Sequence, residues 1–374
     1  MKKSLLAVAL LGTFAASAFA APSVTLYGKI DTGLLYTYQD LDNGQDSTNT
    51  IEMKSGWNAG SRWGLKGTED IGNVKVGFQL ESGFTSDDGQ SAQNSRLFGR
   101  QATVSVSGAY GTVYAGRIGG INSDIGSIGL LGNVSPFGSS FTDLGTHGST
   151  GHDWTRYDNT LAYVSPVFAG FKAEAMYSFN ADNVKKDKDA TENKSSATRY
   201  AAAGLQYKNG GLDAVLTGEY IQYGSKGYAD LDNAWSVVLG GAYDFGVAKA
   251  YAKATYFDNQ AGATDSFGAI YTYDAKDNPK GARAVQGWGV SLGAKVPAFG
   301  GNAKAEIGYR NAEDVKDSSN EFQRWNATVG YDYAFSKRTS VYATGGYVQE
   351  KAKAKAAGTT GRAVLVGAGL VHNF

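Results

Sequence analysis

Apolar and polar positions alternate along almost the whole chain beyond residue 20. In Phe171 to Phe179 the odd positions are apolar and the even ones mostly polar. Ala248, Ala250, Ala252, Ala254 and Tyr256 alternate with Lys249, Tyr251, Lys253 and Thr255. The same holds for Ala303 to Arg310 and for Arg324 to Tyr333. A period of two predicts β-strands with one apolar face and one polar face.

The breaks between alternating runs come in two lengths. Short ones fall at Glu69–Asn73, Gly108–Tyr110, Ser165–Ala169, Lys208–Gly211, Phe245–Gly246, Pro297–Gly300 and Phe335–Lys337. Long polar ones fall near 39–50, 85–94, 118–155, 180–196, 224–233, 259–283, 313–320 and 350–360. Seven short turns alternating with eight long loops predict sixteen antiparallel strands. An even strand number, with short turns at one end and long loops at the other, predicts an all-β transmembrane barrel. Aromatic residues close the apolar phase at Phe179, Tyr220, Tyr256, Tyr331 and Tyr333, where rings meet the two bilayer interfaces. The polar phase carries Lys, Arg, Asp and Glu, which suit a water-filled lumen better than a dry core.

The first twenty residues do not alternate. Lys2 and Lys3, an apolar run from Leu5 to Ala16 and Ala18-Phe19-Ala20 form a secretory signal peptide, leaving 21–374 as one barrel domain. Glycine (51) and tyrosine (23) are abundant, proline (5) is sparse and cysteine is absent, which excludes a catalytic thiol. The 35 basic and 35 acidic residues balance, unlike the basic surplus of nucleic-acid binders.

The stretches SVTLYGKIDTGL, SRWGLKGTEDIG, FGRQATVSVSGAYGTVYAGR and the closing VHNF resemble the general outer-membrane porins of beta-proteobacteria. The resemblance covers the chain beyond the leader. It implies a homotrimer in the outer membrane, passing small hydrophilic solutes and ions by passive diffusion, with no cofactor and no enzymatic reaction. It implies that the third loop, 118–155, folds into the barrel and narrows it, and that Phe374 resembles the signal read by the barrel-assembly machinery. Ile121, Ile125, Ile128, Leu130, Leu131, Val134 and Phe137 let that loop adhere to a wall. Gly28, Gly33 and Ala59 are expected on the outer face, where small residues suit subunit packing.

Alternation puts Val24, Leu26, Ile30 and Leu34 toward lipid, and Lys29, Asp31, Arg62 and Lys66 toward the lumen. By motif, Lys29, Arg62, Arg100 and Arg156 match the family's basic ladder, with Arg117 a further member. Arg100 counts in phase with Ala102, Val104 and Val106, so facing the pore requires a bulge. Many relatives place a Glu in the loop opposite the ladder, within PEFGG. Here the segment reads Ser135-Pro136-Phe137-Gly138-Ser139, leaving Asp124 in a facing position and Asp143 further along. The excess of positive charge predicts a modest anion preference.

A substrate-selective anion porin, for example for phosphate, needs a denser basic cluster. An outer-membrane enzyme needs a nucleophile motif such as G-x-S-x-G, which is absent, and an adhesin needs no lumenal ladder. His147, His152 and Asp153 share a glycine-rich stretch but do not define a metal site. The charged runs at 181–194 and 351–355 read as solvated tips; the alternative is contact with lipopolysaccharide phosphates, which Lys can neutralise.

Overall fold

The computed structural model describes residues 23–41, 46–144, 155–182, 189–226, 228, 231–261, 284–353 and 359–374. The predicted leader and His147, His152 and Asp153 lie outside the described residues. The described strands are β1 (Ser23–Asp40), β2 (Thr48–Ser55), β3 (Arg62–Ile71), β4 (Val74–Gly83), β5 (Gln101–Gly108), β6 (Gly111–Gly119), β7 (Arg156–Val164), β8 (Phe171–Ser178) and β9 (Arg199–Asn209). They continue as β10 (Leu212–Gln222), β11 (Ala234–Asp244), β12 (Lys249–Gln260), β13 (Val285–Ala298), β14 (Gly301–Asp314), β15 (Glu321–Ala334), β16 (Thr339–Lys353) and β17 (Thr359–Asn373).

Each strand pairs antiparallel with its neighbours, and β1 pairs with β17 from Lys29↔Asn373 to Asp40↔Arg362. The sheet is therefore closed, and no edge faces lipid. On its other side β1 pairs with both β3 and β2, one after the other. Those two strands are halves of one stave, so seventeen strands build the expected sixteen-stave barrel. Between the halves, residues 56–61 leave the wall. The buried Asp31 carboxylate holds this departure, accepting from the amides of Asn58 (2.9 Å) and Ala59 (2.7 Å) and from the Tyr342 hydroxyl (3.0 Å). Short turns rest on residues such as Gly210 and Gly300, with φ of +54° and +79°.

The outer face is apolar at mid-height, with Leu161, Leu216, Leu239, Leu292, Ile307 and Val329 exposed. Ring pairs flank it at both ends. Trp235–Tyr256, Trp288–Tyr309 and Trp325–Tyr347 lie toward the long loops, at 5.3, 5.5 and 4.8 Å between centroids. Phe171–Tyr207, Tyr243–Phe245 and Tyr333–Phe335 lie toward the short turns. Closure is completed by Phe374, whose N–H and C=O exchange bonds with Gly28 at 3.0 Å while its ring covers Gly28. Of the three small residues expected outside, only Gly28 is there. Gly33 shares the lumenal phase of Asp31 and Leu35, one residue out of step with the outward Ile30 and Leu34, and Ala59 belongs to the inward departure, where the second stave is broken.

Candidate functional site

The third loop spans 120–155, and its described part lies along the inner wall. Ile121, Ile128, Leu130, Leu131 and Val134 bury against Met176, Tyr200, Ala202, Val215 and Val238 on β8 to β11. Phe137, Phe141 and Leu144 bury against Leu35, Trp57, Tyr342 and Leu365. Each such side chain contributes about 1.5–3 kcal/mol of apolar burial, which holds the loop against the wall. Ile125 is half-buried.

The wall is shaped to receive these side chains. A Cβ added at Gly240 would stand 2.5 Å from Val134, at Gly204 2.6 Å from Leu130, at Gly293 2.7 Å from Pro136, and at Gly330 3.0 Å from Phe137. Polar ties add register. Asn122 donates to Ser236 and accepts from Thr217, and Ser135 donates to Glu306 at 2.9 Å. The Phe141 amide donates to the Trp57 carbonyl, so the departure at 56–61 grips the far end of the loop.

The basic residues occupy the other side of the lumen, on neighbouring staves. Lys29 and Arg62 stand directly opposite each other in the β1–β3 register. Arg62 bonds the Gly60 carbonyl through Nε and lies 3.8 Å from Glu81. Arg100 comes just before the first ladder residue of β5, where alternation no longer binds it. No bulge is needed there: its amide donates to the Glu81 carbonyl and its Nε to the Glu81 carboxylate at 2.7 Å. Arg156 opens β7 within the electrostatic reach of Arg100, Arg117, Glu81 and Arg62. Arg117 sits at a register shift between β6 and β7 and donates to Asp158 at 2.7 Å.

Three charged partners stand outside the ladder that the motifs assign. Glu81 was legible, since Phe78 and Leu80 fix the outward phase of β4 and leave 79 and 81 inward. Asp158 likewise lies on the polar face of β7. Arg96 belongs to the second loop, where no period assigns a direction. It bonds Asp158 and Asp182, both at 2.8 Å. Arg96 and Arg117 thus meet Asp158 and Asp182, whereas Lys29, Arg62, Arg100 and Arg156 gather about Glu81, with Asp31 also within reach of Lys29.

The loop acids stand elsewhere. Asp124 points into its own loop beside Gly132 and Gly138, held by the amide and hydroxyl of Ser139. The cation it senses is Lys253 rather than the ladder. Asp143 pairs with Lys54 at 3.2 Å. The exposed face of the described loop is made of Gly126, Ser127, Ser139 and Thr142.

Comparison with known proteins agrees with this architecture. A family model described as Gram-negative porin matches residues 7–353. The chain is 36% identical over 405 residues to an outer membrane porin protein of Bordetella pertussis, covering all of both chains. It is 30% identical to outer membrane porin protein 32 of Delftia acidovorans, over 94% of this chain and 90% of that one. Among solved structures, an anion-selective porin from Comamonas acidovorans superposes with a TM-score of 0.67 at 26% identity, covering 94% of this chain and all of that one.

Proposed function

This chain belongs to the Gram-negative porin family, and from that premise we propose that its outer-membrane channel prefers anions through a one-sided basic wall. Lys29, Arg62, Arg100 and Arg156 form that wall, with Arg117 held at its margin by Asp158. The observation that carries the reading is the charge count across the lumen. Four cations face two carboxylates, Glu81 and the Asp31 beside Lys29, while the exposed described face of the loop is uncharged and Asp124 and Asp143 are engaged elsewhere. Charges in a wet pore act over about 8 Å at physiological salt, so the preference is modest and cations still pass. The relative from Comamonas acidovorans, itself described as anion-selective, supports this reading.

The same reading includes a channel that catalyses no reaction, a cleaved leader over 1–20, a homotrimer, contact with lipopolysaccharide, and Phe374 as an assembly signal. A related fold solved in a trimer form supports the trimer at the level of architecture.

Reversal potential across a planar bilayer under a KCl gradient tests the wall. The native channel gives an anion-selective sign, and Arg62→Ala/Arg156→Ala reduces it. A cation-selective native channel, or a double variant with unchanged potential, overturns the assignment.

A further inference from the structure

Below the basic wall, toward the short turns, the lumen holds a cavity of mixed polar and apolar surface, of about 360 Å³. Its floor is the directly opposed pair Gly77 and Ser105, two small residues side by side in the lumenal phase of β4 and β5. Lys66 and Thr68 of β3 flank it on one side, and Tyr114 of β6, which pairs with Ser105, on the other. The loop roofs it through Ser127, which donates to Gln101 at 2.9 Å.

Lys66 is the only charged residue in the lining. Its ammonium stands 5.2 Å over the Tyr27 ring, and it has no carboxylate partner among the described residues. Gln79 and Gln101 are fixed, the first donating to Tyr27 and the second to Thr103. The hydroxyls of Thr25, Thr68 and Ser105 make no hydrogen bond among the described residues, so they remain available to a solute. Lys66 lies four residues from Arg62 on one strand, about 13 Å at 3.3 Å per residue. An anion leaving the wall therefore meets this cation next.

We propose that this cavity is a second solute station, taking a small organic monoanion that carries several hydroxyl groups. The carboxylate meets Lys66 and the hydroxyls meet Thr25, Thr68 and Ser105. An aliphatic anion of equal charge leaves those hydroxyls without partners. The proposal rests on the reading of the channel as anion-passing, and deepens it from simple ions to a solute class.

Gluconate is the probe, with hexanoate as an anion of equal charge that lacks hydroxyls. Single-channel current in KCl is recorded with either anion added on the short-turn side. Gluconate interrupts the native current and hexanoate does so at least several-fold more weakly. Lys66→Gln weakens the gluconate effect about tenfold, as expected for loss of a charge-assisted contact, and Lys66→Arg retains it. Ser105→Tyr, which fills the floor without changing charge, also removes it. Equal interruption in native and Lys66→Gln channels, equal potency of hexanoate, or loss confined to Arg62→Ala/Arg156→Ala overturns the station. A KCl potential without anion preference, with gluconate interruption intact, overturns the basic-wall reading and supports the station.

Discussion

Packed against Gly132 and Gly138, the Asp124 carboxylate has its pKa pushed up to about 6, because desolvation disfavours its charge more than Ser139 and Lys253 favour it. A raised folded-state value means that the docked loop binds a proton more tightly than the released chain does. Docking is therefore strongest below about pH 4 and weakens as pH rises toward 6, by about 3 kcal/mol in all. Single-channel noise is expected to increase between pH 4.5 and 7, and Asp124→Asn to flatten that dependence. A pH-independent native record contradicts the assignment. Glu81 yields a second expectation. Glu81→Gln removes the carboxylate among four cations, so the KCl reversal potential shifts further toward anions; a shift toward cations contradicts the count. Lys29, Arg62 and Glu81 were all readable from alternation, because each lies in an uninterrupted strand. Asp124 was not, since a loop residue's direction depends on the loop's own turns.

At the scale of elements, the constriction loop is held by complementarity between its aliphatic side chains and glycines of the wall. The apolar content of 121–137 announced adhesion. The receiving glycines gave no such signal, because Gly204 to Gly330 lie some 70 to 190 residues away along the chain and look like any other glycine in a strand. Gly240→Ala places a methyl carbon 2.5 Å from Val134. Overpacking of that kind costs about 1–3 kcal/mol, and it is expected to raise current noise and to lower the temperature at which the loop becomes protease-sensitive. Val134→Ala in the same chain opens room and restores both. If the double variant is as noisy as Gly240→Ala alone, the side-chain fit is not what holds the loop. Gly330→Ala, at 3.0 Å from the edge of Phe137, is the milder case.

For the whole molecule, sixteen staves, the alternation of turns and loops, and the ring pairs at both interfaces were legible, because all three are set by local period and length. The split second stave was not. Its cause is a carboxylate at 31 capturing amides at 58 and 59, a contact that strand counting does not see. Closure offers a direct test. Gly28→Val drives a side chain into the Phe374 ring, which lies directly over the added Cβ. The yield of heat-resistant folded protein on unboiled gels is expected to fall sharply; undiminished yield shows that the ring's seat is dispensable.

The departure at 56–61 also carries a consequence for timing. Asp31 comes from the first strand, Trp57 from the split second stave, Phe141 from the far end of the loop and Tyr342 from the penultimate strand. Trp57 and Phe141 lie 4.9 Å apart between ring centroids, Phe141 and Tyr342 5.4 Å, and Tyr342 bonds Asp31. Contacts between residues separated by some 300 positions form only after the intervening chain is placed, and such long-range closures are slow. The clamp on the far end of the loop is thus among the last contacts to form, after the central part can already pack on β8 to β11. Until the two ends of the chain have met, the loop is held from one side alone, and the tightness of the channel depends on how briefly that immature state lasts.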